Sequence, residues 1–76
     1  MREAVPALLE GLSDRNDDVR WASARSLGLC AEPKDGKVIL ALRRTRVSDT
    51  ALVRFAAEIS LRKLGYHMAV EPAQAG

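Results

Sequence analysis

The sequence predicts an all-α fold, an α-solenoid of two helical hairpins, and three observations carry the prediction. First, the chain repeats itself: "DDVRWASARSLG" at 17–28 is echoed by "ALVRFAAEISLRKLG" at 51–65. A shift of 34 residues, without a gap, lays Ala7 on Ala41, Leu8 on Leu42, Val19 on Val53, Arg20 on Arg54 and Leu27 on Leu61. A period of about 20–50 residues marks a repeat architecture. Second, the apolar spacing inside each copy is helical. Val19, Ala22, Ser23, Ser26, Leu27 and Cys30 fall on one stripe of a 3.6-residue helix, as do Val53, Ala56, Ala57, Ser60, Leu61 and Leu64. Third, aromatic residues are only 4% of a chain that is 47% hydrophobic, so Leu, Val, Ile and Ala must build the core. That composition favours close-packed helices over a β-sandwich.

Each element follows from local signals. The first helix is expected over residues 3–12, with Val5, Leu8, Leu9 and Leu12 on its apolar stripe. Pro6 sits early enough to be tolerated in the first turn. The second is expected over 17–30: Asn16 supplies a cap, and Asp17 and Asp18 place carboxylates at the positive end of the helix dipole. Gly28 marks a point where this helix is expected to fray. "EPKDG" at 32–36 reads as a turn, and a third helix follows over 36–46. Here Arg43 and Arg46 stand where the first repeat has Leu9 and Leu12. The fourth helix is expected over 50–64, capped by Thr50 with Ser48 as a rival, and stopped by Gly65.

These elements form one domain over residues 1–65, with the first repeat at about 1–32 and the second at about 33–65. Residues 66–76 read as a mobile tail or the start of a third repeat. Two repeats leave apolar faces that a neighbour must cover, since about three repeats are the usual minimum. The chain therefore reads either as part of a longer solenoid or as a small protein that self-associates. The faces Val5/Leu8/Leu9/Leu12 and Phe55/Ile59 are the candidates for self-association.

No apolar run approaches the ~18–20 residues of a membrane span, and Glu3 and Glu10 interrupt any secretory signal. Cys30 is the only cysteine, so no internal disulfide forms, and a cytoplasmic setting is the expectation. The net charge of +2 is unevenly spread. Residues 1–32 carry four basic and six acidic side chains, and residues 33–76 carry eight and four.

With these residues in view, the chain resembles the HEAT-repeat family, especially the short HEAT-like repeats of the phycobilisome-lyase type. "AVPALLEGL" and "DDVRWASARSLG" look like one repeat, and "KVILALRRTR" and "ALVRFAAEISLRKLG" like the next. The resemblance covers about residues 4–65. It implies antiparallel helix pairs stacked into a right-handed solenoid that binds other macromolecules along a groove lined by the second helices. It also implies a bond between Asp14 and Arg20 that ties neighbouring repeats. The second repeat keeps the arginine as Arg54, has Ser48 in place of the aspartate, and offers Asp49 as a substitute.

Catalytic and metal chemistry find little support. "GLCAEPKDGK" ends in Gly-Lys, but seven residues separate its glycines and Val38 follows the lysine, so it lacks the P-loop pattern. Cys30 and His67 are too isolated for a metal site or a nucleophile pair, and Cys30 falls on the apolar stripe. Ser23, Ser26 and Ser60 lie on helix faces, where small side chains serve packing. Asp17 and Asp18 are accounted for by the helix start.

The sequence thus predicts a non-enzymatic module, without a cofactor, for protein–protein interaction or scaffolding, with homo-oligomerisation as one form. Its candidate partner-binding residues are Trp21, Arg25, Phe55, Glu58 and Arg62; its candidate inter-repeat bonds involve Asp14, Arg20 and Arg54. The identity of the protein partner is left open. The alternative is nucleic-acid binding through the basic set Arg43, Arg44 and Arg46. A third reading, a bilin-lyase-like accessory role, rests on family analogy alone.

Overall fold

Three of the four α-helices among the described residues begin at a side-chain cap. The computed structural model describes residues 2–66. A single 3-10 turn, Arg2–Ala4, leads into α1, Val5–Gly11, which has no side-chain cap and carries Pro6 in its first turn. Helix α2, Asp17–Cys30, is capped by Asn16, whose Oδ1 accepts the Asp18 N–H at 2.8 Å. Helix α3, Gly36–Ser48, starts from Asp35, whose Oδ1 accepts from Lys37 N–H at 3.1 Å and Val38 N–H at 3.3 Å. Helix α4, Ala51–Lys63, is capped by Thr50, whose Oγ1 accepts the Val53 N–H at 3.4 Å. Ser48 is not the cap. It ends α3, with its hydroxyl donating to the Arg44 carbonyl at 2.7 Å, so α3 runs past Arg46.

Gly65 closes α4 in a backbone conformation that favours glycine, with φ of +88°. Its N–H reaches the Arg62 carbonyl at 2.9 Å, and the Tyr66 N–H reaches that of Leu61 at 2.8 Å. This pair of bonds is the Schellman arrangement. Tyr66 then folds back onto the core. The stretch 67–76, expected as a tail or a third repeat start, and His67 within it, lie outside the described residues.

The helices pair as two hairpins, α1 with α2 and α3 with α4. The most extensive packing joins α2 to α4, while α1 and α3 barely meet. The second helices of the two repeats are therefore the spine of the stack. Leu27, Leu42, Leu61 and Val38 are completely buried between the layers. Each such aliphatic side chain contributes roughly 1.5–3 kcal/mol relative to exposure. Val5 and Leu12 of the first hairpin are also buried, and Leu8 and Leu9 pack against the same core. The α1 stripe expected as an uncovered face is thus half inside the chain's own core, with Leu8 and Leu9 still partly exposed.

Gly28 does not fray its helix. A Cβ there would lie 2.8 Å from Ser60 Cα and 2.5 Å from Ser60 Oγ, so the missing side chain lets α2 and α4 approach closely. Ser60 uses that approach to donate its hydroxyl to the Ala24 carbonyl at 2.5 Å, with the Arg25 carbonyl at 3.3 Å. A related exchange of volume operates inside the hairpins. Gly11 lies against Ser23 in the first, where a Cβ would overlap the serine. The equivalent positions in the second are Thr45 and Ala57, both buried, with the Thr45 hydroxyl donating to the Ala41 carbonyl at 2.9 Å.

The two inner stripes are not equally buried. Val53, Ala56, Ala57, Ser60, Leu61 and Leu64 are all inside, whereas Val19 and Ala22, the counterparts of Val53 and Ala56, are exposed. The cause is position in the stack: Val53, Ala56 and Ser60 face the preceding repeat, and Val19 and Ala22 meet no such neighbour among the described residues. The receiving positions show the reverse asymmetry. Ala24 and Gly28 accept α4, while their counterparts Glu58 and Arg62 carry charges that pair at 3.3 Å.

Candidate functional site

Two features lie on the surface made by α2 and α4: a charged clamp at their N-terminal ends and an apolar groove along their exposed sides. In the clamp, Arg20 Nε donates to Asp49 Oδ2 at 2.9 Å and Oδ1 at 3.2 Å, and a terminal guanidinium nitrogen reaches Oδ1 at 3.0 Å. The other terminal nitrogen donates to the main-chain carbonyls of Asp14 at 2.8 Å and Arg15 at 3.1 Å. Both partners are largely covered, with side-chain exposures of 19% and 13%. One guanidinium thereby ties the α1–α2 loop to the α3–α4 loop. This is the bidentate geometry in which arginine is strongest.

The clamp differs in detail from the expected bonds. Arg20 meets Asp14 through its backbone oxygen, while the Asp14 carboxylate accepts the Asn16 N–H at 2.9 Å. Asp49, expected as a substitute partner for Arg54, pairs instead with Arg20 across the repeats. Arg54 lies exposed beside Arg46 and Glu58 in a separate polar cleft. Burial alone acts to raise the Asp49 carboxyl. The hydrogen bonds from Arg20 and from the Thr50 N–H, with the arginine's charge, outweigh it and hold the carboxyl below its ordinary value. The hydrogen bond to Asp49 raises the Arg20 guanidinium in turn.

The groove lies between the exposed sides of α2 and α4 and has a volume of about 380 Å³. Its floor is made by Ala56 and Ser60, both small and buried. Trp21 and Leu29 wall it on α2, and Phe55 and Ile59 on α4. Trp21, Leu29 and Phe55 are 38%, 67% and 59% exposed, and with Ile59 they line one shared apolar surface rather than standing singly. Arg25 and Lys63 form a cationic rim, with the Arg25 guanidinium 5.4 Å from the centre of the Trp21 ring. A cation over an indole face is held by the ring's quadrupole.

Of the candidate partner-binding residues, Trp21, Arg25 and Phe55 meet at this groove. Glu58 and Arg62 do not line it: they pair with each other one helical turn apart, at 3.3 Å. Sequence reasoning missed Leu29 and Lys63, and placed Ile59 beside Phe55 as a self-association face rather than a groove wall. Leu29 and Lys63 occupy equivalent positions in the two repeats, one apolar and one basic, a dissimilarity that hid them from a search for matched residues.

The basic set is dispersed. Arg43 lies 5.5 Å from the centre of the Tyr66 ring, Arg44 is exposed, and Arg46 is half-buried beside Arg54, Phe55 and Glu58. Arg46 Nε is shielded from solvent and has no hydrogen-bond partner among the described residues. Cys30 packs against the core. Among the described residues no cluster of three His, Cys, Asp or Glu side chains is placed to hold a metal ion, and no helix is long and apolar enough to cross a membrane.

Helical hairpins joined through their second helices, with a polar clamp between successive loops, define a helical-repeat protein. A family model of HEAT repeats matches residues 1–72, and the chain belongs to the HEAT-repeat family. The match does not single out the phycobilisome-lyase type. No curated protein and no solved structure matches the chain. HEAT repeats generally mediate protein–protein interaction or scaffolding, and the family is typically non-enzymatic.

Proposed function

We propose that this chain is a non-enzymatic module for protein–protein interaction or scaffolding, and that the groove between α2 and α4 is its binding surface. The observation that carries the reading is the aromatic pair. Trp21 and Phe55 occupy equivalent positions in the two repeats, are substantially exposed, and wall one apolar groove. Large aromatic side chains that find no cover within their own chain are the residues that dominate protein interfaces. The groove is short but concave, and its floor of small residues leaves room for a partner's side chains.

The dispersal of Arg43, Arg44 and Arg46 favours a protein partner over nucleic acid. A phosphate-tracking surface needs its cations in one strip, and here one arginine stacks on Tyr66 while another is half-buried.

The test is affinity capture from extracts with and without nuclease treatment, comparing the wild-type chain with Phe55→Glu. The expected result is a defined set of proteins retained by the wild type and lost by the variant. Identical retention by both, or retention that vanishes with nuclease treatment, overturns the reading.

A further inference from the structure

We propose that the partner of the α2–α4 groove is a protein segment with bulky apolar side chains followed by carboxylates, the carboxylates seated between Arg25 and Lys63. The proposal rests on the groove being a protein-binding surface and adds the chemistry of what it takes.

Charge complementarity carries the argument. The walls offer four apolar side chains: Trp21 and Leu29 over about two turns of α2, a length of roughly 12 Å, and Phe55 and Ile59 over about one turn of α4. The two charged side chains that line the groove are both cationic, Arg25 in the middle of α2 and Lys63 at the end of α4. Neither Arg25 nor Lys63 makes an ion pair among the described residues, whereas Arg62 on the neighbouring face pairs with Glu58. Arg25 is not adrift: it is held over the Trp21 ring, so its charge stands at a fixed place beside the apolar wall.

The opposite end of the surface has the other sign. Asp17 and Asp18 share a second shallow cleft with Trp21, which therefore sits between an acidic end and a basic end. A segment lying along the groove is thus oriented as well as held. Its apolar side chains fill the space between the aromatic walls, and its carboxylates fall beside Arg25 and Lys63, away from Asp17 and Asp18. A basic segment in the same position is repelled there, which supplies discrimination in addition to affinity.

The test uses the whole chain and two synthetic 14-residue helical peptides. Both carry the same Leu and Phe residues; one bears Glu and its twin bears Lys at the positions following them. Binding is read from fluorescence anisotropy of the labelled peptides and from the emission of Trp21, the only tryptophan in the chain. At low ionic strength the Glu peptide is expected to bind about fivefold to tenfold more tightly than the Lys twin and to shift Trp21 emission. The preference is expected to shrink as salt is added. The double variant Arg25→Glu/Lys63→Glu is expected to reverse it. Circular dichroism of that variant confirms that these exposed changes leave the helices intact.

Equal binding of the two peptides, or tighter binding of the Lys twin, overturns the proposal. If that equal binding is abolished by Phe55→Glu, the groove stands as a binding surface and only the assigned partner chemistry falls. Absence of binding by either peptide also overturns the proposal, and the groove is then judged by the capture experiment alone.

Discussion

Arg20 of the first repeat closes on Asp49 of the second through a bidentate ion pair, while the same guanidinium holds the carbonyls of Asp14 and Arg15. This single side chain links two loops that are far apart in sequence. Its dependence on pH follows from the carboxylate. The folded-state Asp49 carboxyl lies below its ordinary value, so its contribution is complete above the unfolded value of about 3.9 and is lost as pH falls through the folded one. The stability advantage of the wild type over Asp49→Asn is expected to be constant between about pH 7 and 5 and to shrink below about pH 4. Urea denaturation of the two proteins across that range measures it. Arg20, whose shift is upward, stays charged throughout.

Gly28 and Gly36 predict opposite outcomes for the same substitution. Gly28→Ala drives a methyl group into Ser60 and forces α2 and α4 apart; overpacking of this kind costs about 1–3 kcal/mol. At Gly36, the first residue of α3, a Cβ meets nothing within 4 Å and φ is ordinary. There alanine is expected to stabilise by about 0.4–1 kcal/mol through the unfolded chain. Thermal melts of both variants check the pair. At this chain length a change of 1 kcal/mol moves Tm by roughly 4–8 °C.

Burial separates packing residues from binding residues on the same helix. Leu61 is completely buried and Phe55 is 59% exposed. Leu61→Ala is expected to cost about 2–5 kcal/mol, enough to unfold a large share of so small a domain. Phe55→Ala is expected to change stability by less than about 1 kcal/mol while weakening partner binding. Denaturation and binding measured on the same two variants show whether the division holds.

The four helices, and the caps of the second and fourth, were legible in the sequence because the signals are local, whereas Asp35, the cap of α3, was passed over inside a turn. Asn16, Thr50 and Gly65 each act within a turn of their own position. Relations between repeats were read less well. The matched stripes suggested equal burial, yet Val19 is exposed and Val53 is not, because burial depends on which neighbour a position faces. Gly28 looked like a weak point in a helix, since its reason lies on Ser60, in the next repeat. Asp49 was read as a partner for Arg54 because pairing was sought within one repeat. Trp21, Arg25 and Phe55 were found as a group, whereas Lys63 and Leu29 joined them only once α2 and α4 were placed side by side.

The most direct test of the groove as binding surface is site-specific photocrosslinking in extracts. A photoreactive phenylalanine analogue is placed at position 29 or 55 in the groove, and at position 40 or 47, whose Leu and Val side chains are exposed on α3. The same protein adducts are expected from positions 29 and 55, and none of them from 40 and 47. Adducts that form equally at all four positions, or only at 40 and 47, contradict the groove as binding surface.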